Sequence, residues 1–194
     1  MSTPDSIPLP PGRVLPAGVT VSFGTRGDIE RLEPLWLGLH RIHQEAGPEL
    51  APYVDAETSW RRRWRLYEHC LAHSESFLLL VERGALLIGY VLVVVEPDGD
   101  VLWSDTWVVG EKVAELETMY LVPEERGRGL GGVLLDIVDA ELERRGIADL
   151  VIGAVPGNSA ALRLYERRGF KPSWVIVSRF AARREPGDGG SPAT

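Results

Sequence analysis

Residues 123–138 read PEERGRGLGGVLLDIV, with Gly127, Gly129, Gly131 and Gly132 crowded between a charged turn and an apolar run of helical spacing. A helix start presents unpaired N–H groups and the positive end of its dipole, so a glycine-lined turn there suits an anion, above all a phosphate. What surrounds this stretch decides the fold. Upstream, residues 77–82, 86–96, 101–109 and 113–122 read as antiparallel strands, with ERG and PDGD as tight turns between the first three. Downstream the pattern becomes helix (130–145), strand (150–155), helix (159–168) and strand (174–180). A meander that runs into a βαβ unit predicts a mixed α/β fold, mostly antiparallel, with helices on both faces of the sheet.

Further upstream, residues 19–23 alternate as a strand. Asp28 then caps a helix that carries Leu32, Leu35, Trp36, Leu39 and His43 on one face, with Gly47 as its stop and Pro34 as a potential kink. A second helix over 55–73 repeats Trp60, Trp64, Tyr67 and Leu71 at i, i+4, i+7 and i+11, which makes an amphipathic pair. The Pro- and Gly-rich ends, 1–18 and 183–194, bury too little to offset ordering and are expected to be a disordered or extended arm and a disordered tail around one domain, 19–182.

A chain of 194 residues can bury a self-sufficient core. Its net charge of −7 argues against a general nucleic-acid binder and favours a cationic, amine-bearing partner. The lone Cys70 can form no internal disulfide, no apolar run reaches the roughly 18 residues of a membrane helix, and the first 18 residues have no signal-peptide pattern. A cytoplasmic protein without a membrane association is the expectation.

Three glycine codes compete for the opening stretch. The phosphate loop of nucleotide hydrolases needs Gly-Lys-Ser/Thr, and Gly132 is followed by Val133. Gly127, Gly129 and Gly132 fit GxGxxG, but a dinucleotide fold wants its first glycine directly at the strand end, and four residues, Pro123 to Arg126, intervene. The third code, Arg/Gln-x-x-Gly-x-Gly/Ala, is met by Arg126, Gly129 and Gly131. With the preceding LETMYLVP, the stretch resembles the acetyl-CoA-binding motif of the GNAT superfamily of N-acetyltransferases. A second block agrees in order and spacing: GNSAALRLYERRGF, from Gly157 to Phe170, is similar to the family's Asn-x-x-Ala-x-x-x-Tyr-x-x-x-Gly-Phe pattern through Asn158, Ala161, Tyr165, Gly169 and Phe170.

The resemblance implies a six- to seven-stranded sheet with a splayed central strand pair and acetyl-CoA as cosubstrate, with no metal. It places the pyrophosphate on the turn Arg126, Gly127, Arg128, Gly129, Leu130, Gly131 and Gly132. The pantetheine arm would pair with the strand edge at Met119, Tyr120 and Leu121, with Asn158 and Ala161 completing the coenzyme site. Backbone amides suit a diphosphate, and an open strand edge suits an arm that carries amides of its own.

Acetyl transfer needs a neutral amine, and amines are mostly protonated near pH 7, so a base is required. Glu115 and Glu117 lie two apart on one strand and share a face. The family places a catalytic or water-ordering glutamate at one or other of these positions, and the choice stays open. Tyr165 stands where the family's general acid protonates the departing thiolate. The acceptor is expected near the first two helices, where Glu45, Glu49, Asp55 and Glu57 are acidic and Trp36, Trp60, Trp64 and Tyr67 offer aromatic faces to a cation or simply build the core. The run Arg61, Arg62, Arg63 and Arg65 reads as a solvated face. His40 with His43, and His69 with His73, have chelating spacing but no completing partner, so no metal is expected. Enzymes of this family that act on protein amino termini often carry a glutamate five residues before the Asn; here that position is Gly153, which favours a small-molecule amine over a ribosomal protein. Homodimers are common in the family and are an expectation here. The alternative to a small-molecule enzyme is a catalytically silent coenzyme sensor or a peptide acetyltransferase.

Overall fold

The computed structural model describes residues 7–73, 75–96 and 106–180. Five strands form one sheet in the order β1 (Val19–Gly24), β2 (Phe77–Arg83), β3 (Leu86–Glu96), β4 (Val113–Leu121) and β5 (Asp149–Ile152). The first four pair antiparallel and β4 pairs β5 in parallel. The crossover from β4 to β5 runs through a short 3-10 turn, Pro123–Glu125, and helix α3 (Leu130–Arg144).

Two apolar clusters lie on opposite faces of this sheet. On one, Leu79, Val91, Val93, Ala114 and Leu116 pack against Leu130, Leu134, Leu135, Ile137 and Val138 of α3, with Leu164 and Tyr165 of α4 (Ser159–Arg167) at the margin. On the other, Leu78, Leu80, Tyr90, Leu92 and Tyr120 meet Leu35 of α1 (Glu33–Ala46) and Tyr67 and Cys70 of α2 (Ala56–Cys70). The alternation of β2, β3 and β4 therefore serves both helix layers. The N-terminal arm joins the first layer: Ile7 is buried, its N–H donates to the Val21 carbonyl at 3.3 Å, and Leu9 and Leu15 pack beside it.

Several expected boundaries move. Asp28 does not open α1; it closes a capping box with Thr25 on a separate 3-10 segment, Arg26–Leu32. Pro34 sits in the first turn of α1, where its missing N–H removes no helical bond, and so it starts the helix instead of kinking it. Asp55 accepts the Thr58 N–H at 2.8 Å and caps α2. Among the described residues the sheet has five strands and not six or seven. Residues 101–105 of one expected strand, and the PDGD turn, lie outside the described residues, and Thr106–Val109 form no strand. The stretch 174–180 also forms none: Trp174, Val175, Ile176 and Val177 are exposed. Its apolar, β-branched character is local, whereas a strand needs a neighbouring edge, and the four-residue β5 offers few groups to pair.

Candidate active site

Gly129 is the N-cap of α3 with φ +83°, and Gly127 has φ +73°. These are left-handed conformations, which side chains resist and glycine adopts freely. Among the described residues the N–H groups of Gly127, Arg128, Gly129, Leu130 and Gly131 find no acceptor; the helix ladder begins with Gly132 and Val133, both donating to the Gly129 carbonyl at 3.0 and 3.2 Å. Five consecutive unpaired donors at a helix start fit a diphosphate, the group that acetyl-CoA would place there. The Arg126 amide is not among them, since it donates to the Pro123 carbonyl at 3.1 Å. The Arg126 guanidinium turns back, its Nε donating to the Leu121 carbonyl at 2.8 Å while it lies 5.0 Å from the Tyr120 ring centre. The other two glycines serve packing. A Cβ on Gly131 would stand 3.3 Å from Leu164 Cδ2, and the Gly132 carbonyl accepts from Arg168, which also forks onto Asp136. Behind the turn, buried Glu125 takes Nε and Nη2 of Arg83 at 2.7 Å each, which anchors it to β2.

The sheet opens beside this cradle. β5 pairs with β4 only from Val113↔Asp149 to Leu116↔Ile152, so Glu117 to Leu121 have β3 on one side and no strand on the other among the described residues. Met119, Tyr120 and Leu121 thus occupy an edge to which an extended amide-bearing arm could be added. Across the opening, Asn158 accepts the Ala161 N–H at 3.3 Å and caps α4. The preceding Gly157 lies so close to the Ala46 carbonyl that a Cβ would collide with it. Tyr165 is half-buried, 5.9 Å from Phe170 between ring centres, and its hydroxyl has no hydrogen-bond partner among the described residues. Burial pushes its pKa up, so it is a protonated donor near neutral pH.

On the other face of β4 the two glutamates part ways. The β3–β4 register passes from Val93↔Leu116 to Leu92↔Thr118, leaving Glu117 as the extra residue of a bulge. Glu117 and Thr118 consequently both face α2. Glu117 Oε1 pairs with Arg63 Nη1, and the Arg63 guanidinium lies 3.7 Å over the Trp36 ring. Thr118 Oγ1 lies 2.7 Å from the Tyr67 hydroxyl, which is 2.9 Å from that of Tyr90, a buried chain of three hydroxyls beneath the ion pair. Burial pushes Tyr67 up to about 12 and Tyr90 well above its ordinary value, so both remain hydroxyls. Glu115, before the bulge, is exposed.

Arg63 is the functional candidate that the sequence reading placed in a solvated run. It stands four residues from both Ser59 and Tyr67, the buried face of α2, while Arg61, Arg62 and Arg65 are exposed. Ser59 accepts the Trp36 Nε1–H at 3.0 Å and ties α1 to α2. Trp36 and Tyr67 are buried core residues, and Trp60 and Trp64 pack at its margin. Glu45, Glu49, Asp55 and Glu57 are exposed, and Asp55 and Glu57 serve α2 itself as its N-cap and as the partner of Arg61. His43, whose ring centre is 6.0 Å from that of Trp36, is held below the ordinary histidine range by burial, then by Arg63 and His40. Among the described residues no three His, Cys, Asp or Glu side chains converge as a metal site would require, and no helix is long and apolar enough to cross a membrane.

Comparison with known proteins finds acetyltransferases by sequence and by structure. A mycothiol acetyltransferase of Thermobispora bispora is 29% identical over 180 residues, 91% of this chain and 54% of the relative. One of Geodermatophilus obscurus is 35% identical over 94 residues, 44% of this chain and 30% of the relative. The ribosomal protein bS18-alanine N-acetyltransferase of Escherichia coli is 37% identical over 62 residues, 32% of this chain and 42% of the relative. The chain therefore spans 30% to 54% of the length of these relatives. Among solved structures, a GCN5-related N-acetyltransferase from Ralstonia eutropha superposes with a TM-score of 0.65 at 23% identity, covering 84% of this chain and 99% of the other. A predicted acetyltransferase from Clostridium acetobutylicum, solved with acetyl-CoA, gives 0.62 at 18% identity over 82% and 96%. Both establish likeness of fold. The sequence model of the acetyltransferase (GNAT) family matches residues 36–170, which hold the amide cradle, the open strand edge and the capped α4, and the chain belongs to that family.

Proposed function

We propose that the chain transfers acetyl from acetyl-CoA to a primary amine of a small molecule by direct attack. The observation that carries this reading is the junction of five unpaired amides, Gly127 to Gly131, with the open β4 edge that runs from Glu117 to Leu121. The cradle would hold the diphosphate, the edge would hold the arm, and the chain's own carboxylates and hydroxyl lie along the same strand and the facing helix. When bound, the cosubstrate supplies an activated acetyl thioester. Glu117 uses Oε1 on Arg63 and makes no other hydrogen bond among the described residues, so Oε2 can accept a proton from an incoming ammonium directly or through one water. Glu115 is the alternative acceptor for that proton. Tyr165 would donate its hydroxyl proton to the departing sulfur, a role that its burial and unshared hydroxyl favour.

A covalent route through Cys70 has less to recommend it, because the thiol is buried in the apolar cluster beneath α2. Direct attack predicts that thiol release with a panel of primary amines survives in Cys70→Ala and is lost in Tyr165→Phe and in Glu117→Gln. The reverse pattern would sink the assignment. Tight acetyl-CoA binding in calorimetry, with no acetylated product by mass spectrometry from any amine or peptide, would favour the coenzyme sensor instead.

A further inference from the structure

The reading above leaves one side chain half used. Arg63 gives Nη1 to Glu117, and its guanidinium carbon lies 3.7 Å over the Trp36 ring centre, but its Nε and Nη2, which form the side edge of the guanidinium, make no hydrogen bond among the described residues. The side chain is 20% exposed, as is that of Glu117. A simple counter-charge for Glu117 needs neither the planar group nor the aromatic floor, and a lysine on the same helix face would supply it. What the aromatic contact adds is restraint on a planar group whose free edge presents two parallel N–H donors at set spacing, the geometry that matches a carboxylate. Of the four arginines between 61 and 65 this is the one turned to the buried face of α2, toward β4.

Position supports a ligand-facing role. Glu117 is the first residue of β4 beyond the last β5 pair, Leu116↔Ile152, so the Arg63–Glu117 pair sits at the fork where the sheet parts. The bulge turns both Glu117 and Thr118 to this side, and the Thr118–Tyr67–Tyr90 hydroxyl chain fixes the strand beneath the pair. Charge balance is equally informative. Arg63 balances the charge of Glu117, so the pair itself brings no net negative charge to the fork. It offers one anionic and one cationic contact side by side.

We infer that the acceptor is a zwitterion, an amine with a carboxylate close to it as in a free amino acid, the open edge of Arg63 taking the carboxylate while Glu117 faces the amine. This rests on the acetyl-transfer reading and narrows its acceptor from cationic amines in general to carboxylate-bearing ones.

The test measures kcat/KM for thiol release from acetyl-CoA with the twenty amino acids, their carboxamides and the corresponding decarboxylated amines. At least one amino acid should exceed both its amide and its decarboxylated amine about tenfold or more. Arg63→Met should bring that acid-to-amide ratio close to one, and Arg63→Lys should keep part of it, with circular dichroism confirming that each variant is folded. Comparison of the wild-type ratios alone decides the matter if Arg63→Met does not fold. Amides or decarboxylated amines that react as well as the acids, or a ratio untouched in folded Arg63→Met, overturn the inference while leaving acetyl transfer standing. Absence of thiol release with every amine of all three classes, with acetyl-CoA bound, overturns the acetyl-transfer reading itself.

Discussion

Tyr67→Phe is the substitution in which the energetics beneath the site can be read most directly. The Tyr67 hydroxyl is the middle member of a chain, 2.7 Å from Thr118 Oγ1 and 2.9 Å from the Tyr90 hydroxyl. Tyr67 and Tyr90 are 0% exposed and Thr118 is 3% exposed, so water cannot replace a lost partner. Deleting the middle oxygen strips both neighbours at once. An unmet buried polar group costs about 1–3 kcal/mol, and two of them put Tyr67→Phe at roughly 2–6 kcal/mol. Tyr90→Phe removes an end member and leaves Tyr67 bonded to Thr118, so about 1–2 kcal/mol is expected. In the double variant only the Thr118 hydroxyl is left without a partner, so the total should not exceed that of Tyr67→Phe alone, giving a coupling of at least about 1–2 kcal/mol. Urea unfolding of the four proteins, with unchanged slopes, measures each quantity. Costs that add within about 0.5 kcal/mol would refute the reasoning, because independent sites add and members of one network do not.

Three further outcomes follow from particular residues. A Cβ on Gly129 meets nothing within 4 Å, so Gly129→Val acts through its φ of +83° alone; acetyl-CoA affinity by calorimetry should fall at least tenfold, about 1.4 kcal/mol, with the fold retained, and Arg126→Ala should lose less than that because its amide lies outside the cradle. Wild-type affinity in folded Gly129→Val would remove the cradle from the coenzyme site. Gly38→Ala places a methyl against the Tyr120 hydroxyl and 2.7 Å from its Cζ, an overpacking of about 1–3 kcal/mol that a thermal melt should register; an unchanged melting temperature would contradict the contact. His43 is held low by burial and by Arg63, so between its folded pKa and the unfolded value near ~6.5 the unfolded chain binds more protons, and stability falls as the pH drops through that window. His43→Gln should flatten this part of the melting temperature–pH curve, whereas the loss at lower pH, where Asp136 and Asp28 are protonated, should persist; equal slopes in both proteins near pH 6 would count against it.

Much of the architecture could be read from local chemistry. The alternation of β1 to β4, the N-cap at Asp55, the glycine turn at the mouth of α3 and the Asn158 cap are all set by neighbours in sequence, and each lies within a few residues of its expected place. What escaped depends on distant partners. Nothing in ELETMY marks Glu117 as the extra residue of a bulge, because a bulge is a mismatch between two strands and only one is visible at a time. Arg63 was hidden inside a run of like charges; counting four residues from Tyr67, itself in the apolar stripe, would have singled it out. The amide cradle was legible as a helix start, but its extent depends on the Pro123 carbonyl that takes the Arg126 amide. The stretch 174–180 looks like a strand on composition and is exposed because no edge receives it.

The brevity of β5 carries a consequence for how such a protein can change. Its ladder to β4 stops at Ile152, and the next residues, Gly153 and Ala154, are small and exposed. Each further rung would satisfy backbone groups along β4 and make the domain sturdier, yet it would also close the gap in which we propose the coenzyme arm is held. Selection for heat resistance alone would therefore drift toward zippering shut at 153–155, and selection for turnover must keep refusing that gain. The seam is a place where robustness and activity pull a lineage in opposite directions, and a laboratory population evolved for survival at high temperature without an activity screen should accumulate β-branched residues there first.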